Sequence, residues 1–112
     1  MVDMAHNFSR LSDKDTFEKL ITISKERPVV VFKHSNACPI SSRAYREMEQ
    51  LENVNLIEVQ TARELSREVA NVTGIQHETP QVIVLRDGKA VWNASHFDVS
   101  AGAVTKVLEA NT

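Results

Sequence analysis

The sequence holds a single cysteine, Cys38, so no disulfide can form within the chain. The disulfide framework on which small secreted domains rely is excluded, and any redox chemistry must join the protein to another molecule. A polybasic block is also missing. Thirteen Lys and Arg stand against 15 Asp and Glu, a net charge of −2, which leaves no patch to neutralise a phosphate backbone and excludes nucleic acid as an expected partner. There is no run of about 18 apolar residues to span a membrane, and the polar start, Met1-Val2-Asp3-Met4-Ala5-His6, has no signal-peptide core. The expected location is cytoplasmic. Repeats, low-complexity stretches and linkers are absent too. What is present is ordinary for a globular chain: 112 residues, 42% hydrophobic and 25% charged, which suits one domain over residues 1–112.

Ser12-Asp13-Lys14-Asp15 reads as a helix N-cap with an acid three residues on, and Phe17, Leu20 and Ile21 follow at helical spacing until Pro28. Val29-Val30-Val31-Phe32 is an unbroken β-branched run suited to a central strand covered on both faces. From Cys38 the pattern turns helical, with Ile40, Ala44, Met48 and Leu51 on one stripe and Asn53 as the stop. Val54 to Val59 reads as a strand. Thr61-Ala62-Arg63-Glu64 repeats the capping pattern before a helix closed by Gly74. Val82-Ile83-Val84-Leu85, the turn pair Asp87-Gly88 and Ala90-Val91-Trp92 form an expected antiparallel hairpin. A last helix turns Ala101, Val104, Val107 and Leu108 inward. The order α-β-α-β-α-β-β-α gives an α/β class with a mixed sheet of about four strands layered by helices, the thioredoxin-like arrangement.

In such a sheet ligands gather at the carboxyl ends of parallel strands, where helix N-termini point. The segment His34 to Ser41 occupies that place, so Cys38 is expected at a helix N-terminus with Pro39 in the first turn, where a missing N–H does no harm. Unpaired N–H groups and the positive end of the helix dipole favour a thiolate there. Lys33 and His34, just upstream, are expected to add positive charge. A lone cysteine can also be a small buried hydrophobe, and position is what favours the reactive reading. Thr79-Pro80, directly before a β-branched strand, can adopt a cis bond and bring free backbone groups beside the loop after the first strand, where an extended thiol-bearing chain could pair.

At these residues the sequence resembles the thioredoxin superfamily, in which Cys-x-x-Cys follows the central strand and a cis-proline faces it. Ser41 stands where the second cysteine of that motif would be. The strings Phe32-Lys33-His34-Ser35, Cys38-Pro39-Ile40-Ser41 and Thr79-Pro80-Gln81-Val82 are similar to those of the monothiol bacilliredoxins, the YtxJ-type family of the bacillithiol system in Firmicutes. The resemblance implies removal of bacillithiol from S-bacillithiolated proteins, with Cys38 as nucleophile, bacillithiol as co-substrate and no tightly bound cofactor. A serine hydroxyl cannot attack a mixed disulfide as a thiolate would, so Cys38 acts alone. Ser41 is expected either to hydrogen-bond the Cys38 sulfur or to be a solvated first-turn residue.

Bacillithiol carries an amine, a sugar and a malate with two carboxylates. Lys33, His34 and Arg43 are the candidates to hold the acids. Asp98, ahead of the last helix, is the candidate for the amine, or else it caps that helix together with Ser100. His34 and Cys38 lie four apart, but a zinc site needs about four ligands, so no metal is expected. His6, His77 and His96 read as surface residues, and Trp92 as packed under a helix. Two other readings use the same layout: a non-catalytic thioredoxin-like module that grips partners and senses redox state, and an iron–sulfur cluster carrier assisted by low-molecular thiols.

Overall fold

In the computed structural model, residues 8–36 and 39–112 are described. The elements run β1 (Phe8–Leu11), α1 (Lys14–Ile23), β2 (Val29–His34), α2 (Pro39–Met48), β3 (Val54–Glu58), α3 (Arg63–Thr73), β4 (Gln81–Arg86), β5 (Lys89–Ser95), a 3-10 turn (His96–Asp98) and α4 (Ala101–Ala110). The strands form one sheet in the order β1-β3-β2-β4-β5. β1, β3 and β2 are mutually parallel, β4 is antiparallel to β2, and β5 is antiparallel to β4.

Every residue of the central strand β2 is buried, because helices cover both faces of the sheet. Strand alternation divides its side chains. Val30 and Phe32 pack with Ala44 and Met48 of α2 and with Ala101 and Val104 of α4. Val29 and Val31 pack with Phe17 and Leu20 of α1 and with Leu65 and Val69 of α3. Trp92 is half-buried against the α2/α4 layer, in keeping with the expectation that it packs under a helix. The β4–β5 hairpin closes through Asp87 (φ 57°) and Gly88 (φ 77°), the two positive φ values a tight two-residue turn requires.

The sheet has five strands where the sequence pattern implied about four. The additional strand, β1, sits on the edge and sends one side chain into each core: Phe8 joins the α2/α4 layer and Leu11 the α1/α3 layer. Ser9 and Arg10 between them are exposed, so no apolar run or alternation marks the strand.

Two caps also differ. α1 is capped by Asp13, whose Oδ1 accepts from the Thr16 N–H (2.9 Å) and hydroxyl (2.7 Å), one residue later than a Ser12 cap. α3 has Ala62 at its N-cap and no side-chain cap, since the Thr61 hydroxyl donates instead to the Glu58 carbonyl (3.2 Å). At the other end of α3, Gly74 takes the left-handed conformation expected of it (φ 73°).

Candidate functional site

β2 runs two residues beyond Phe32, so Lys33 and His34 belong to the buried strand and not to the loop. α2 then starts at Pro39, the proline-first beginning expected from the sequence. Cys38, which precedes Pro39 in the chain, lies outside the described residues. The side chains around this junction are therefore what define the site.

Burial changes the role of both basic residues upstream of the cysteine. His34 is 6% exposed, with its ring 4.9 Å from that of Tyr45 and 5.8 Å from that of Phe32. Burial lowers its pKa, and the Glu58 carboxylate and the Ser41 backbone offset only part of that effect. The ring is held neutral near pH 7, so the positive charge expected of His34 is not supplied.

Lys33 is fully buried and, one residue along the strand, faces the opposite layer. Its Nζ lies 3.2 Å from Nδ1 of His77. Burial lowers the Lys33 pKa to about 8, against the attraction of Glu78. The pKa of His77 is also lowered, first by burial and then by the Lys33 charge. A neutral His77 accepting from the lysine ammonium agrees with the lowered His77 pKa, while the lowered Lys33 pKa comes from burial.

Ser41, in the first turn of α2, is fully buried, which removes the solvated alternative. Its Oγ has no hydrogen-bond partner among the described residues, and neither has His34 Nδ1. Two unpaired polar atoms thus lie beneath the start of α2.

Across the site the Thr79–Pro80 bond is cis. Pro80 is buried, and its carbonyl accepts from the His96 N–H at 2.9 Å. Neither the N–H nor the C=O of Thr79 makes a hydrogen bond among the described residues. Gln81, opposite Lys33 in the β2–β4 register, is 1% exposed. Its Nε2 donates to the Gln76 carbonyl (3.0 Å) and Ser95 Oγ (3.4 Å), which holds the loop ahead of Pro80 down on the sheet.

The expected ligand-binding residues are not gathered into one groove. Arg43 turns away toward the 3-10 turn and donates to the carbonyls of Val99 (3.1 Å) and Phe97 (3.5 Å). Asp98 is exposed in that turn and takes no part in capping α4, where Ser100 Oγ accepts from the Ala103 N–H (3.2 Å) and Glu47 Oε1 from the Ala101 N–H (2.9 Å). Lys33 and His34 face opposite layers. The roles of His77 and Gln81 escaped the sequence reading. The one signal for them was a lysine continuing an all-apolar strand, which needs a polar neighbour inside the fold.

Among the described residues no three His, Cys, Asp or Glu side chains are grouped to hold a metal ion. Among the described residues no helix is long and apolar enough to cross a membrane.

A family model described as Monothiol bacilliredoxin BrxC matches residues 9–104. The chain belongs to the monothiol bacilliredoxin family. Of solved structures, one described as an oxidoreductase with a thioredoxin fold is similar at 31% identity and a TM-score of 0.83, covering 95% of this chain and 97% of that one. A mutant thioredoxin from Halobacterium salinarum NRC-1 aligns at 14% identity with a TM-score of 0.72, over 100% and 96% of the two chains. A Schistosoma mansoni thioredoxin aligns at 17% identity with a TM-score of 0.69, over 99% and 100%. The two thioredoxins share the fold. The bacilliredoxin family match places bacillithiol-related thiol exchange at the level of the family.

Proposed function

We propose that this chain removes bacillithiol from protein mixed disulfides through Cys38 alone. The Cys38 thiolate attacks the bacillithiol sulfur, the protein thiolate leaves and takes a proton, and a Cys38–bacillithiol disulfide forms. A second bacillithiol thiolate then attacks the bacillithiol sulfur of that adduct, giving bacillithiol disulfide and restoring the Cys38 thiolate.

The observation that carries this reading is Ser41. The position three residues beyond the cysteine, where a second thiol could close an intramolecular disulfide, holds a fully buried hydroxyl. An adduct on Cys38 has no resolving thiol within the chain, so an external one must release it. Around it, α2 begins at Pro39 beyond the carboxyl end of the central strand, and the Thr79 backbone N–H and C=O, which make no hydrogen bond among the described residues, suit pairing with an extended substrate segment. The helix N-terminus favours the thiolate, with an expected apparent pKa below about 7.5.

The test is intact mass after incubation with oxidised bacillithiol, with oxidised glutathione run in parallel. A bacillithiol adduct that is absent in Cys38→Ser, together with release of bacillithiol from a modified protein by the unaltered chain, is the expected result. No adduct, or an alkylation pKa at or above that of free cysteine, would remove the nucleophile and with it the proposal.

A further inference from the structure

Between α3, the end of β3 and the loop that carries His77 lies a groove of about 490 Å³, lined by Val59, Arg63, Ser66, Arg67, Asn71 and His77 among others. Arg63 and Arg67 are four apart and share one face of the helix. Neither guanidinium makes a hydrogen bond or ion pair among the described residues. No carboxylate lines the groove, although Glu64 and Glu68 are on the same helix. Behind His77 sits the buried Lys33, whose ammonium has one hydrogen-bond partner among the described residues, Nδ1 of that histidine. Two arginine forks unpaired among the described residues thus stand at a cavity with no carboxylate in its lining, while the lysine behind His77 has Glu78 as its nearby counter-charge.

The groove joins the site already described. Val59 donates its N–H to the His34 carbonyl at 3.0 Å, which ties the groove's lip to the end of β2. His77 lies three residues before Pro80, on the loop that Gln81 holds down. A molecule lying along the Thr79 backbone, which has no partner among the described residues, and continuing toward His77 reaches a residue that lines the groove.

We propose that this groove seats the carboxylates of the low-molecular thiol in the mixed disulfide, with Arg63 and Arg67 as the residues that recognise its malate. This rests on the thiol-exchange reading and names the residues that select the thiol. Each guanidinium can present paired N–H donors to a carboxylate, and a malate has two carboxylates to offer. The recognition is then by the acid arm of the thiol, at α3, and not by the Lys33, His34 and Arg43 set.

The test compares two probes on one cysteine-containing peptide: a bacillithiol disulfide and a disulfide of cysteinyl-glucosamine, which lacks the malate. The unaltered chain is expected to remove bacillithiol about tenfold faster than the malate-free thiol, as two charge-assisted contacts allow, and R63A/R67A to bring that ratio to about one. R63K/R67K, which keeps charge and loses the fork, should fall between. A ratio unchanged in R63A/R67A overturns the proposal while leaving thiol exchange intact. If the unaltered chain exchanges neither probe, thiol exchange itself fails. The groove is then judged by amide NMR shifts of Arg63, Arg67 and His77 in Cys38→Ser titrated with reduced bacillithiol. Shifts that vanish in the C38S/R63A/R67A variant support it, and none at those residues overturns it.

Discussion

Lys33 Nζ and His77 Nδ1 meet at 3.2 Å beneath the loop that leads to Pro80, a contact between a fully buried lysine and a histidine that must be unprotonated to accept from it. The Lys33 pKa of about 8 lies below its ordinary 10.5. Below about pH 8 both the folded and the unfolded chain hold the proton. From there to 10.5 the unfolded chain holds a proton that the folded chain has released, so this group makes stability rise with pH across that window. Lys33→Met removes the buried charge. The variant is expected to match or exceed the unaltered chain in stability at pH 7 and to lose that advantage as pH rises above 8. Urea midpoints from pH 7 to 10.5 measure it, and a difference that does not change with pH would refute it.

The same two residues show where the sequence was legible. The strand itself was plain, since four consecutive β-branched or aromatic residues leave little else, and so were Pro39 at the helix start, the Asp87-Gly88 turn and the Thr79-Pro80 element. What could not be read was how far the strand continues. Lys33 and His34 look like loop cations because their type favours water, yet the β3 ladder pairs both of them and the β4 ladder also pairs Lys33. Tertiary pairing overrode residue preference. β1 was illegible for a related reason: an edge strand that gives one side chain to each layer carries no period. The cap of α3 was misplaced because the N-cap falls on Ala62, and the Thr61 hydroxyl one residue earlier is turned to donate to the Glu58 carbonyl.

His34 supplies a second pH dependence, of the same sign and in a lower window. Its folded-state pKa is below 6.5 because its ring is buried between Phe32 and Tyr45. As pH falls below 6.5 the unfolded chain takes up a proton that the folded chain resists, so stability is lost as pH drops through the folded pKa. His77 shifts in the same direction and adds to the loss. His34→Phe keeps the ring and removes the proton site. It should weaken the drop in thermal midpoint between pH 7.5 and 5.5 without abolishing it. An identical drop in the variant would show that His34 is not responsible.

Ser41→Ala separates two consequences of one buried hydroxyl. Its Oγ has no partner among the described residues, so its removal strands no described group and should change stability by no more than about 1 kcal/mol in either direction. If that hydroxyl donates to the neighbouring thiolate, the same variant raises the apparent pKa of Cys38. The expected outcome is both together: a stable protein whose alkylation profile moves to higher pH while release of bacillithiol persists. A profile that does not move would remove Ser41 from the thiol's surroundings.

Far from this site, Ser24 holds the end of α1 to the β4–β5 turn, and its role can be isolated because backbone and side chain act separately. Its carbonyl accepts from the Asp87 N–H (2.7 Å) and Arg86 Nη1 (3.0 Å), contacts any residue could make. Its hydroxyl donates to the Ile21 carbonyl (2.6 Å) and accepts from the Gly88 N–H (2.9 Å). Ser24 is fully buried, so Ser24→Ala keeps the carbonyl contacts and strands the Gly88 N–H at a half-buried turn. A loss of about 1–2 kcal/mol is expected, read as a lower urea midpoint at unchanged slope. Thiol exchange should be unaffected, since the turn lies at the opposite end of β4 from Pro80. A midpoint equal to that of the unaltered chain would mean that water replaces the hydroxyl at Gly88, and that the backbone contacts alone clasp the hairpin.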